Sequence, residues 1–237
     1  YFANNIGGTI TLLNAMVTYG VTRFVFSSSA AVYGEPEIVP IPEDHPIRPV
    51  NPYGESKAIV ERMLAWYQNA FGINHVSLRY FNAAGATDAR GEDHRPETHL
   101  IPIVLEAAYG QRQSVALFGT DYPTPDGTCI RDYIHVSDLA AAHLLALDKT
   151  ETGSGAYNLG SGSGSSNREI IESARRVTGR EIRVIEEARR PGDPAKLIAS
   201  NERAKSELGW RIEHADLDEV VASAWRWHQA HPDGYTD

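Results

Sequence analysis

The stretch Asn51-Pro52-Tyr53-Gly54-Glu55-Ser56-Lys57 constrains the fold most, read together with Ser27-Ser28-Ser29-Ala30-Ala31-Val32-Tyr33-Gly34 upstream. Asn51 is a good N-cap and Pro52 suits the first helical position, so a helix is expected to start here. Gly72 would stop it after Phe71. Tyr53 and Lys57 are four residues apart and so share one helix face. An ammonium beside a phenol favours the phenolate, which makes a tyrosine a usable acid/base near neutral pH. Taken alone, the pair is equally an exposed helix pair without a role. The preceding run Arg23-Phe24-Val25-Phe26 reads as a buried parallel strand that ends in three serines. Parallel sheets hold ligands at the carboxyl ends of their strands. A hydroxyl, a phenol and an ammonium converging there can remove an alcohol proton while hydride leaves the same carbon.

Ser29, Tyr53 and Lys57, set in Ser-Ser-Ala-Ala-Val-Tyr-Gly and Pro-Tyr-Gly-Glu-Ser-Lys, resemble the extended short-chain dehydrogenase/reductase family. Within it the wording is similar to that of the UDP-glucose 4-epimerases. The resemblance implies an α/β fold: an incomplete Rossmann-type, doubly wound parallel sheet plus a smaller α/β substrate-binding domain. Residues 1–90 would be the C-terminal part of the NAD-binding domain. Residues 91–237 would be mainly the UDP-sugar domain, with segments around 130–160 open to returning to the first. The chain opens inside an expected helix, about Asn4 to Tyr19, with no strand and glycine-rich turn before it. A dinucleotide-binding unit needs that turn for the pyrophosphate. The N-terminal phosphate-loop half is therefore expected to be absent. Gly160, Gly162 and Gly164 follow a strand-like run but have the wrong spacing, and Ser165-Ser166-Asn167 reads as a helix cap.

The resemblance implies NAD as cofactor and a UDP-sugar as substrate. Tyr53, Lys57 and Ser29 would be catalytic. Asn4, Ser27, Ser28, Tyr80 and Phe81 would join them around the nicotinamide end of NAD, although Asn4 reads equally well as a helix cap. Ser29, Tyr53 and Asn82 would touch the sugar. His99 and Leu100 would contact UDP, and Phe118 would flank the uracil with backbone near Ala116. Arg131 and Arg190 would clamp the diphosphate, with Tyr133 beside Arg131 and Asp193 on a ribose hydroxyl. Leu197 would line the sugar pocket. From the residues alone, Phe118 reads better as core, and Arg131 with Asp132 could be a surface pair.

The implied activity is epimerisation at C4 of a UDP-hexose. Alternatives are an epimerase acting on a UDP-N-acetylhexosamine or UDP-pentose, a decarboxylase, or a non-catalytic nucleotide-sugar-binding protein. A 4,6-dehydratase needs an acid/base pair after the active-site hydroxyl, and Ala30 and Ala31 stand there. A net charge of -9 argues against a general nucleic-acid surface. No apolar run approaches membrane-spanning length. One cysteine, Cys129, excludes an internal disulfide and suits a reducing, cytoplasmic setting. The histidines show no metal-binding motif, so no metal is expected. The loop from Gly34 to Val50, with five prolines, is expected to border the active site. The helix from Tyr53 carries Val60, Leu64, Tyr67 and Phe71, flanked by Ile59, Met63, Trp66 and Ala70. That face is wider than one sheet needs, and in the resembling family the corresponding helix packs against a second subunit. A homodimer follows as an expectation.

Overall fold

The structure, a computed structural model, describes residues 1–235. A π-helical opening, Phe2–Gly7, runs into helix α1 (Gly8–Thr18); strand β1 (Arg23–Ser29), a short 3-10 turn (Ala30–Val32) and α2 (Pro52–Phe71) follow. The middle of the chain carries β2 (Asn74–Tyr80), β3 (Asn82–Ala84), α3 (Leu100–Tyr109), β4 (Val115–Phe118), β5 (Ile130–Arg131), β6 (Tyr133–His135) and α4 (Val136–Lys149). It continues through β7 (Gly155–Leu159), β8 (Ser165–Ser166), α5 (Asn167–Thr178), β9 (Val184–Glu187), β10 (Lys196–Leu197), α6 (Glu202–Leu208) and α7 (Leu217–Ala230). These elements form two compact units. The first comprises Tyr1–Phe81, Ala140–Gly162 and Ala199–Arg211; the second comprises Asn82–Leu139, Ser163–Ile198 and Ile212 onward.

The first unit is built on a three-stranded parallel sheet in the order β1-β2-β7. The central β2 is buried from His75 to Arg79. Among the described strands β1 pairs with β2 alone, and Phe24 and Val25 are half-buried where the apolar run suggested full burial. Leu13 and Met16 of α1, Phe26 of β1, Val60 and Leu64 of α2, and Ile73 close one core cluster. Helix α2 has the expected bounds. The Asn51 side chain accepts from the Gly54 amide at 2.8 Å, and Gly72 ends the helix in a left-handed conformation at φ 71°. The expected N-terminal helix differs at its start, where a π turn comes first and Asn4 lies inside it rather than at a cap.

On α2, Val60 and Leu64 are fully buried, while Trp66 and Phe71 stand 73% and 54% exposed. The proline-rich loop is tied to this unit. Ile41 is buried and bridges Ala199, and the Glu43 carboxylate accepts from the Asn158 amide.

Strands β2 and β3 are separated by the single residue Phe81. The Phe81 amide donates to the Leu159 carbonyl at the end of β7, whereas the Asn82 amide donates to the Asp132 carbonyl, ahead of β6. The chain changes partner within one residue, which nothing in the local sequence announces. The second unit packs α3, α5 and α7 around Val104, Leu105, Ile170, Ala174 and Val221. Parallel pairs β4–β9 and β3–β6, with the small sheet β10-β5-β8, complete it. Strand β9 starts at Val184, the residue in register with Val115 of β4. Ser166 forms a capping box with Glu169, so the glycines before it form a turn into α5. Among the described residues no helix is long and apolar enough to cross a membrane.

Candidate active site

The first unit gathers the hydroxyl, phenol and ammonium at the carboxyl ends of its parallel strands. Ser29 ends β1 in register with Tyr80 at the end of β2, and Leu159 of β7 pairs with Tyr80 on the other side. The Ser29 hydroxyl oxygen accepts from the Ala31 amide at 3.2 Å, so the serine also caps the 3-10 turn. One turn into α2, the Lys57 ammonium donates to the Ser27 carbonyl at 2.9 Å. The same nitrogen lies 5.7 Å from the centre of the Tyr53 ring and 5.1 Å from that of Phe26. Burial lowers the Lys57 pKa from its ordinary value, because the charged form loses solvation. Tyr53 is half-buried, with the Tyr1 ring 5.5 Å from its own.

The other residues expected near the cofactor divide. Ser27 is exposed and bonded to Tyr80, whereas Ser28 points the opposite way along the pleat, is buried, and donates to Glu61 at 2.5 Å. Phe81 is half-buried at the end of β2, and Asn4 is exposed. Ammonium, phenol, carboxamide and hydroxyl donors beyond parallel strand ends suit a nicotinamide riboside. Among the described residues no glycine-rich strand-to-helix turn offers a cradle for its pyrophosphate.

Gly54 explains how Tyr53 is delivered. A Cβ at Gly54 would lie 2.3 Å from the Ala31 carbonyl oxygen, so the helix start and the turn after β1 touch backbone to backbone. Gly54→Ala is expected to force the two apart and cost about 1–3 kcal/mol of stability. Thermal unfolding checks this; an unchanged midpoint would show that the approach is not close.

The second unit holds a cavity of about 500 Å³ lined by Asn82, His99, Leu100, Ala116, Phe118, Arg131, Tyr133, Arg190 and Asp193, all expected from the sequence. Leu197 is not among its lining residues; it sits in β10, paired with Arg131 of β5. The sequence reading missed Glu97, Arg112 and Asn167, which also line it and carry no motif. Arg131 donates to Asp193 at 2.9 Å and to the Pro194 carbonyl at 2.9 Å. This replaces the Arg131–Asp132 surface pair, since Asp132 is buried. The Arg190 guanidinium lies 3.8 Å from the centre of the Phe118 ring, so Phe118 is a cavity wall and not core. The Asn82 side chain donates to the Asp132 carbonyl at 2.8 Å. Two guanidinium donors, an aromatic face and an accepting aspartate in one cavity suit a nucleoside diphosphate.

The structure also brings Glu92, His94, Glu97 and His99 within 4.8 Å of one another, four groups that could hold a divalent cation. Their irregular spacing gave no signal in the sequence. The Glu97 carboxylate orders this loop by accepting from His99 Nδ1 at 2.8 Å and from the Thr98 and His99 amides at 2.6 Å.

Comparison with known proteins bears on both units. Residues 1–160 match the model of the NAD dependent epimerase/dehydratase family. A UDP-glucose 4-epimerase of Lacticaseibacillus casei is 52% identical over 241 residues, spanning 100% of this chain and 73% of that protein. A crystal structure of a UDP-glucose 4-epimerase superposes with a TM-score of 0.97 at 49% identity, over 100% of this chain and 73% of the other. The Bifidobacterium longum UDP-glucose 4-epimerase, solved with NAD+ and UDP, gives 0.94 at 40% identity, over 99% of this chain and 72% of that one.

Proposed function

This chain belongs to the NAD dependent epimerase/dehydratase family, and on that premise we propose that it interconverts UDP-galactose and UDP-glucose by inversion at C4. The observation that carries the reading is identity of about half over the whole chain with UDP-glucose 4-epimerases, together with the Ser29, Tyr53 and Lys57 array at the strand ends. NAD, when bound, would supply a reversible hydride acceptor for C4 of the sugar. Tyr53 takes the proton of the 4-hydroxyl and gives it back, so the cycle is redox-neutral. Ser29 holds the same oxygen by a hydrogen bond, and the Lys57 ammonium stands beside the Tyr53 ring at the point of proton transfer. Asn4, Ser27, Tyr80 and Phe81 would hold the nicotinamide end of the cofactor.

The cavity of the second unit would hold the nucleotide. Arg131 and Arg190 take the diphosphate, Phe118 and the Ala116 backbone take the uracil, and Asp193 takes a ribose hydroxyl. His99, Leu100 and Tyr133 close its walls, and Asn82 reaches the sugar. The Arg131–Asp193 pair keeps that guanidinium in place before ligand arrives. Incubating the native-length gene product with UDP-galactose, without added NAD, is expected to yield UDP-glucose. Absence of conversion with Tyr53 and Lys57 intact would remove the reading.

A homodimer is part of the proposal, seated on the exposed edge of α2 with Trp66 and Phe71. Sedimentation across a concentration series is expected to show a dimer that Trp66→Arg weakens; monomer at every concentration would end this idea. We place the reaction in the cytoplasm, in keeping with the buried free thiol of Cys129.

A further inference from the structure

A short hydrogen-bonded chain runs behind the catalytic array, and its outer member belongs to none of the roles above. Tyr80 ends β2 directly beside Ser29. Its hydroxyl donates to Ser27 Oγ at 2.8 Å and lies 2.5 Å from Nε2 of His143, a half-buried residue of α4. The two rings are 5.6 Å apart. Ser27 in turn accepts the Lys57 ammonium at its carbonyl. Two residues, Tyr80 and Ser27, therefore connect His143 to the cation that serves Tyr53.

The proton count sets a direction. A phenol has a single proton to donate. Because Tyr80 gives its proton to Ser27, the His143 contact needs a proton on Nε2, with imidazole donating to the phenol oxygen. Burial raises the Tyr80 pKa; the Ser27 bond opposes this, and the nearby Tyr53 adds to the rise. Tyr80 thus stays a neutral phenol and does not compete with Tyr53 for the sugar proton. Its task is geometric.

We propose that His143 is a positioning residue: its Nε2–H orients Tyr80, which holds Ser27, whose carbonyl fixes the Lys57 ammonium against Tyr53. The effect on turnover rests on the epimerase reading; the hydrogen-bond chain does not. Loss of the donor would let the phenol and Ser27 relax and loosen the Lys57 contact. Small displacements of a catalytic group slow the chemical step more than they weaken binding.

The test uses the native-length enzyme carrying His143→Phe, His143→Gln, Tyr80→Phe, or His143→Phe with Tyr80→Phe. His143→Phe is expected to lower kcat by about tenfold to a hundredfold with KM little changed. His143→Gln, whose side-chain amide can donate from nearly the same point, should restore most of the loss. The double variant should be no slower than its worse parent, because both changes cut one chain. Independently of turnover, nitrogen-resolved NMR of the imidazoles should show His143, assigned by its loss in His143→Gln, protonated at Nε2, with that resonance shifted in Tyr80→Phe.

Equal impairment of the Phe and Gln variants, normal turnover in both, or a His143 resonance indifferent to Tyr80 would overturn the proposal. A wild-type enzyme inactive on UDP-galactose would strike the epimerase reading and leave the NMR result to decide the hydrogen-bond chain.

Discussion

Tyr53→Phe is expected to lower turnover of UDP-galactose by about 10²–10⁴-fold, the range a positioned proton-transfer group supplies. The substitution removes one oxygen from a half-buried ring and keeps the shape that packs near Lys57 and Tyr1. UDP affinity should stay close to that of the wild type, because the cavity lined by Arg131, Arg190 and Phe118 does not include Tyr53. Steady-state turnover and UDP binding by calorimetry, measured on one preparation, separate the two effects. Turnover within a few-fold of wild type would exclude Tyr53 as the proton carrier; a parallel loss of UDP binding would mean that the substitution acts through the fold.

Arg79→Met should have the largest effect on stability. Arg79 and Glu61 are buried, with 5% and 9% side-chain exposure, and meet in a two-pronged pair at 2.6 and 3.0 Å. Burial pulls the Arg79 pKa down, but the hydrogen bonds and charge of Glu61 override it and leave the guanidinium more strongly protonated than usual. Arg79 also donates to Tyr33 and to the Glu43 carbonyl, and Tyr33 donates to Asn158. Burial pushes the Tyr33 pKa up to about 12. Removing the guanidinium strands a buried carboxylate one turn beyond Lys57 and frees the proline-rich loop at Glu43. The expected cost is about 3–5 kcal/mol, seen as a lower denaturant midpoint. Glu61→Leu combined with Arg79→Met should recover part of it, since two apolar groups leave no unpaired charge. An unchanged midpoint in the single variant would contradict the buried pair.

These two cases mark where the sequence was legible. Helix α2 could be read from Asn51, Pro52 and Gly72, because capping and left-handed termination are decided within a few residues. The cap at Ser166 was legible for the same reason. The Tyr53–Lys57 spacing needed no tertiary information, since helical periodicity alone puts both on one face. The cavity residues came from family wording rather than from any local rule; Phe118 by itself reads as core. The Arg79–Glu61 pair was invisible, because nothing local distinguishes a charged residue that will be buried from one that stays in water. The break at Phe81 was hidden because adjacent residues bond to different strands, and that choice of partner is not encoded locally.

The sequence by itself determined the helix starts and stops, the shared face of Tyr53 and Lys57, and the delivery of serines by a strand, all set by backbone sterics and hydrogen bonds over short spans. Only the tertiary structure decided that Ser29 faces Tyr80, that His143 reaches Tyr80, that Arg131 pairs with Asp193, and that Leu197 lies outside the cavity lining. Each of these depends on strand register or on side chains distant in the chain. Register is chosen by which buried faces fit together, a global choice that no short stretch contains.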